Sequence, residues 1–226
     1  MPLLDDEILA IAVATECNVF VESGTFYGQT FARIIESGLF ERCYSVEIQQ
    51  HLYENLQNQF PTTRQQQVFL GTSYEQFVQS IFPLCDADDT LFFWLDGHFS
   101  AGETGGAEFP CPIIDELQSI AQHCPTSKVV IAIDDTDDLG RKDSGVAGYN
   151  WASRAEIEAA AQAISPDLHL IDYTGDSDSL PKINRGVLIF SYRPVDAKQL
   201  ELIQLPQKLS QKQGSLWQRL RRLFST

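Results

Sequence analysis

The chain has no Cys-x-x-Cys spacing, and its five cysteines, Cys17, Cys43, Cys85, Cys111 and Cys124, are odd in number. Several fall in or beside predicted strands, so they read as reduced structural thiols rather than as a disulfide framework. Basic residues are scarce: 16 Lys and Arg face 31 Asp and Glu, a net charge of −15. Phosphate binding needs a basic face, so free nucleic acid is excluded as a partner. No stretch reaches the length of a membrane span, the N-terminus has no basic and apolar signal segment, and there are no internal repeats. A soluble cytoplasmic enzyme is expected, and 226 residues suit one domain with a large core.

The most informative stretch is Val19 to Thr30. A short apolar run ends in the carboxylate Glu22, a turn carries Gly24, Thr25 and Gly28, and helical spacing begins at Thr30. Strand, tight turn and helix in that order open a nucleotide-binding α/β sheet. The spacing is not the Gly-x-Gly-x-x-Gly of a dinucleotide site, and a carboxylate two residues before the first glycine would repel a pyrophosphate. A cationic or amine-bearing ligand suits it, and S-adenosylmethionine has a sulfonium, an amino-acid tail and no phosphate.

Glu47 closes the next apolar run, Arg42 to Glu47, where an acid accepts hydrogen bonds from both ribose hydroxyls. Gln67 to Gly71 reads as a third strand, with Thr72 and Ser73 capping a short helix from Tyr74 to Ile81. Ser73 either meets an adenine amine or serves only as a cap. The fourth run, Thr90 to Asp96, is hydrophobic without a break, as in a strand buried on both faces, and leads into Gly97-His98. The fifth, Lys128 to Ile133, ends in Asp134-Asp135. Carboxylates converging at strand ends would repel one another without a cation, which argues for a sulfonium, a metal ion, or both.

These pieces (Glu-Ser-Gly-Thr-Phe-Tyr-Gly-Gln-Thr, Ser-Val-Glu, Leu-Gly-Thr-Ser, Trp-Leu-Asp-Gly-His and Ile-Asp-Asp) resemble class I S-adenosylmethionine-dependent methyltransferases over Asp5 to Pro194. The Glu-x-Gly-Thr start and the paired aspartates look most like the macrocin O-methyltransferase group. The resemblance implies cofactor contacts at Glu22, Gly24, Thr25, Gly28, Glu47, Ser73 and Asp96. It also implies a divalent metal, usually magnesium, on Asp96, Asp134 and Asp135, an all-oxygen set suited to a hard cation. His98 stands two positions after the first of these aspartates, where family members often carry a basic residue. The chemistry expected is methyl transfer to a hydroxyl of a small, sugar-like or natural-product-like acceptor, with Asp96 and His98 catalytic. A metal lowers the hydroxyl pKa, and a histidine with a pKa of about 6.5 takes the proton. The alternatives are a metal-independent N- or O-methyltransferase with His98 as base, or a binding module without transfer activity.

The expected fold is a Rossmann-like three-layer α/β sandwich, with seven mostly parallel strands and an antiparallel edge strand. Helices are expected over Leu3 to Cys17, Thr30 to Ser37, Gln49 to Phe60, Pro112 to His123 and Trp151 to Ile164. Leu168 to Tyr173 and Gly186 to Tyr192 form the antiparallel pair. Residues 1–194 make the methyltransferase domain and 195–226 a basic amphipathic extension. Gly97 to Cys111 and Thr136 to Asn150 are long polar segments that follow the site strands and are expected to close over the acceptor. After Gln204 come five basic residues and no acid, with Leu216, Trp217, Leu220, Leu223 and Phe224 at helical spacing. Such a helix docks on the acidic body, makes a homodimer contact, or lies on an anionic membrane.

Overall fold

The computed structural model describes residues 6–172 other than 103 and 144, residues 186–196, and Leu200, Ile203 and Leu205. The expected basic C-terminal helix and the segment between the last two strands lie outside the described residues. Seven strands form one sheet: β1 (Val19–Ser23), β2 (Arg42–Glu47), β3 (Gln66–Leu70), β4 (Leu91–Leu95), β5 (Val129–Ile133), β6 (His169–Asp172) and β7 (Leu188–Ser191). Their order is β3-β2-β1-β4-β5-β7-β6. The first five are parallel, and the antiparallel pair is present, with β7 inserted between β5 and β6.

The central strands are apolar throughout because both faces are covered, and their alternation assigns each side chain to one of two layers. Phe20, Phe92, Trp94, Val130 and Ala132 point to one face. There they meet α1 (Asp6–Ala14), α2 (Gln29–Ser37) and α3 (Gln50–Gln59) through Ile8, Ile11, Phe31, Ile34 and Leu56. Val19, Val21, Leu91, Phe93, Leu95, Val129, Ile131 and Ile133 point to the other. Across from them lie α5 (Ile113–His123) and α6 (Arg154–Ile164), through Ile113, Leu117, Ile120, Ile157 and Ala161. Val195, Leu200, Ile203 and Leu205, beyond residue 194, pack on the first layer. The Tyr192 hydroxyl donates to the Thr15 carbonyl at 2.9 Å and so ties the end of β7 to α1.

Three helices differ from expectation for local reasons: α1 ends at Ala14 rather than Cys17, with Glu16 in the left-handed region at φ 57°. The helix after β3 is a single α-turn, α4 (Ser73–Gln76), which widens into a π-helical segment over Phe77–Ile81. The wider turn buries Phe77 and Ile81 together. α6 begins at Arg154 rather than Trp151, because Ser153 and Glu156 form a reciprocal capping box. Trp151 is thereby left before the helix and is fully buried. All five cysteines are free. Burial pushes the thiols of Cys17, Cys43, Cys85 and Cys111 up to about 12, so they stay protonated and unreactive.

Gly28 caps α2 in the left-handed region at φ 76°. A Cβ there would lie 2.5 Å from Phe60 Cε2 and 2.8 Å from Leu56 Cδ2. Gly28→Ala is therefore expected to cost roughly 2–4 kcal/mol from backbone strain plus overpacking of the α2/α3 contact. Urea unfolding checks this, and a midpoint unchanged from the parent chain would contradict it.

Candidate functional site

The strand order reverses between β1 and β4, and open α/β sheets bind ligands at the carboxyl ends of strands beside such a point. A cavity of about 400 Å³ lies there, within the range of small-molecule sites. Its walls include Gly24 after β1, Glu47 at the end of β2, Ser73 after β3, Asp96 after β4, and Asp134 and Asp135 after β5. The structure thus brings six of the expected site residues, and His98 with them, to one cavity.

Glu47 is held rather than free to turn. Phe26 N–H donates to its Oε2 at 2.7 Å, and Gln49 N–H donates to its Oε1 at 2.8 Å. Phe26 reaches it from a left-handed conformation, φ 50°, which a bulky residue adopts only under constraint. Burial raises the Glu47 pKa, against the pull of these backbone donors.

Glu22, Thr25 and Gly28 do not line the cavity. Glu22 is 2% exposed and accepts a hydrogen bond from Ser45 Oγ at 2.6 Å. The Thr25 hydroxyl bonds the same Ser45 oxygen, also at 2.6 Å. Burial pushes the Glu22 carboxyl up to about 8, with the charges of Asp96 and Glu47 adding to it and the Ser45 bond opposing. At neutral pH it is a buried acid that keeps its proton, and not the exposed anion that its position in the sequence suggests.

His98 sits among the aspartates. Its Nε2 is 3.0 Å from Asp135 Oδ2 and 3.7 Å from Asp96 Oδ1. Burial works against the charged ring, but the Asp135 hydrogen bond and the charges of Asp96, Asp135 and Asp134 outweigh it and raise the pKa. In this structure His98 is a charge-carrying partner of Asp135 more than the free base expected at a pKa of about 6.5. Asp135 holds its side of the pair from a left-handed backbone, φ 51°. Donor atoms of Asp96, His98 and Asp135 lie within 4.8 Å of one another. The structure thus gathers a carboxylate–imidazole–carboxylate group, whereas the sequence suggested three aspartates.

Two further residues of the site escaped the sequence reading. Glu116 on α5 is fully buried and accepts a short hydrogen bond from Ser73 Oγ. The Ser23 hydroxyl lies nearby, Oε2 has no hydrogen-bond partner, and burial raises the pKa against both hydroxyls and the His98 charge. Its place on the apolar helical stripe, three residues after Ile113 and four before Ile120, was the available signal. Trp151 is the second: its ring lies 4.4 Å from the His98 ring, tilted by 57°. The Ser153-x-x-Glu156 capping box would have placed it outside the helix.

The segment after β4 walls the cavity through Phe99, Thr104, Gly105 and Phe109. The segment after β5 braces it from behind: Gly148 N–H donates to the Ala107 carbonyl at 3.1 Å, and the Tyr149 ring packs 5.0 Å from Phe99.

No protein-family model and no curated protein matches the chain by sequence. Solved structures do match. The methyltransferase domain of bacterial-CtHen1-C aligns with a TM-score of 0.51 at 11% identity, covering 83% of this chain and 95% of that one. The methyltransferase domain of bacterial-CtHen1-CN gives 0.50 at 11%, over 81% and 95%. Human methyltransferase-like protein 13, solved in complex with SAH, gives 0.48 at 15%, over 97% and 87%. The chain shares the fold of these two methyltransferase domains, a Rossmann-like seven-stranded sheet flanked by helices.

The raised Glu22 pKa has a definite sign. The folded chain holds this proton up to about pH 8, while the unfolded chain releases it near the ordinary value of 4.5. The native state binds more protons across that window, so this group lowers stability as pH rises through it. Glu22→Gln keeps an acceptor for Ser45 and removes the titration. Its stability relative to the parent is expected to improve by the order of a few kcal/mol between pH 5 and pH 8, as read from urea midpoints. A difference that is flat over the window would contradict the assignment.

Proposed function

We propose that this chain transfers a methyl group from S-adenosylmethionine to a hydroxyl of a small acceptor, sugar-like or natural-product-like. One observation carries the reading. Glu47, Asp96, Asp115, Asp134 and Asp135 line the cavity, and no Lys or Arg does so among the described residues. Like charges in a partly desolvated site would repel a phosphate-bearing nucleotide, while a sulfonium and an ammonium are attracted. Glu47, fixed from behind by two backbone N–H groups, keeps lone pairs for the ribose hydroxyls. The methyltransferase fold supports the same reading, and the Glu-x-Gly-Thr turn with the Asp134-Asp135 pair supports a place near the macrocin O-methyltransferase group.

The reaction is an in-line displacement. The acceptor oxygen bonds the methyl carbon, the carbon–sulfur bond breaks, and the sulfur leaves as a neutral thioether. The cavity holds nucleophile and methyl group in line, which supplies much of the rate. Asp96, His98 and Asp135 then receive the hydroxyl proton or stabilise its loss. Their donor set also fits a divalent cation: two carboxylates and one imidazole lie within reach of a single ion. Magnesium favours oxygen ligands, and an imidazole ligand widens the choice to manganese, iron or zinc. Such an ion would lower the pKa of the acceptor hydroxyl. The direct His98–Asp135 bond neutralises part of the acidic cluster and so favours a site without a metal, and in that metal-independent alternative His98 acts as base only after it has lost its own proton.

Calorimetric titration with S-adenosylmethionine and S-adenosylhomocysteine tests the reading. Both are expected to bind, and Glu47→Gln is expected to weaken each roughly tenfold to a hundredfold through loss of charged-acceptor hydrogen bonds. Absence of binding by the parent chain would contradict it. Transfer of a labelled methyl group to hydroxylated acceptors, with added magnesium or manganese and then with chelator, separates the two catalytic readings.

A further inference from the structure

Glu116 is a fully buried carboxyl that the proposed chemistry leaves unused. It comes from α5, its Oε1 accepts from Ser73 at the start of α4, and its Oε2 has no hydrogen-bond partner, with the Ser23 hydroxyl at the end of β1 nearby. A serine hydroxyl has one hydrogen to give and two lone pairs. Ser23 Oγ accepts from Gly97 N–H at 3.2 Å, so its single hydrogen is the one available to Glu116. Ser73 Oγ likewise spends its hydrogen on Glu116 Oε1. Glu116 Oε1 accepts in this bond when the carboxyl is ionised or carries its proton on Oε2, the oxygen that has no hydrogen-bond partner. The difference between the two serines lies on their other side. Ser23 has its donor in Gly97, whereas Ser73 lines the cavity and has no donor to its hydroxyl among the described residues.

We propose that Glu116 is a positioning residue that fixes the Ser73 hydroxyl as a hydrogen-bond acceptor, and so selects a base carrying an amine over one carrying a carbonyl at the same place. The inference rests on the adenosyl-donor reading given above. With the ribose on Glu47 at the end of β2, the base lies toward the neighbouring strand β3, beside Thr72, Ser73 and Tyr74. A 6-amino group donates to the held Ser73 oxygen. A 6-oxo group would set one acceptor against another, and the Ser73 hydrogen cannot turn to meet it without breaking the bond to Glu116. A site that leaves a buried polar group opposed in this way rejects the wrong ligand far better than one that only lacks a contact.

Competitive calorimetry with S-adenosylhomocysteine and its 6-oxo counterpart, S-inosylhomocysteine, tests this on the full chain. The parent is expected to prefer the adenosyl compound by tenfold or more. Ser73→Ala and Glu116→Leu are each expected to bring the ratio to within about threefold of unity. Glu116→Gln, which keeps an acceptor oxygen, is expected to hold it, a rescue that a merely structural role does not predict. Thermal melts accompany each variant, and if Glu116→Leu does not fold, Glu116→Asp, one methylene short of Ser73, takes its place. A parent ratio near unity would overturn the inference while leaving the methyl-donor reading intact. So would a parental ratio in Ser73→Ala or Glu116→Leu, or a loss of discrimination in Asp115→Asn but not in Ser73→Ala. Failure of the parent to bind S-adenosylhomocysteine at all would overturn the methyl-donor reading, and this inference with it.

Discussion

Acidic groups crowded at the strand ends, with almost no positive charge facing them, are the constraint around which this site is built. Each carboxyl meets it differently. Glu47 is held by two backbone N–H groups, and Glu22 and Glu116 by serine hydroxyls. Asp135 is held by the imidazole of His98. Burial raises the pKa of Glu22, Glu47 and Glu116, which is the usual response when desolvation exceeds the available compensation. A cationic ligand would relieve the carboxylates that line the cavity, Glu47, Asp96, Asp134 and Asp135.

The scaffold can carry the cost of these acids because the strands beneath are fully apolar on both faces. Phe92, Phe93, Trp94 and Leu95 are entirely buried and lead straight into Asp96, and Val129 to Ile133 lead into Asp134. Packing that dense holds the last strand residue in place, and with it the carboxyl just beyond. Strain gathers at the same rim, where Phe26 and Asp135 both hold left-handed backbones. One aims an N–H at Glu47 and the other aims a carboxylate at His98.

The five parallel strands and the acids that close them were legible from sequence, because unbroken apolar runs ending in a polar residue have one reading in such a sheet. Glu47, Asp96 and the Asp134-Asp135 pair therefore fell where expected. What escaped depends on contacts between distant segments. Gly28 carries the pattern of a cofactor turn, yet its small size answers to Phe60 and Leu56. Glu22 reads as an anion until Ser45 and the surrounding core are seen to enclose it. His98 joins Asp96 and Asp135 as the third member of their group because β4 and β5 are adjacent. Glu116 comes from a helix and Trp151 from a loop, and neither stands at a strand end where the pattern directs attention.

The central claim is that this cavity selects an adenosyl ligand by charge, accepting a cationic or neutral tail and refusing phosphate. Parallel titrations with S-adenosylhomocysteine and ADP at low ionic strength, where charge effects are least screened, put that claim to the most direct test. The account predicts tight binding of the first and none of the second; ADP binding as tightly as S-adenosylhomocysteine would contradict it.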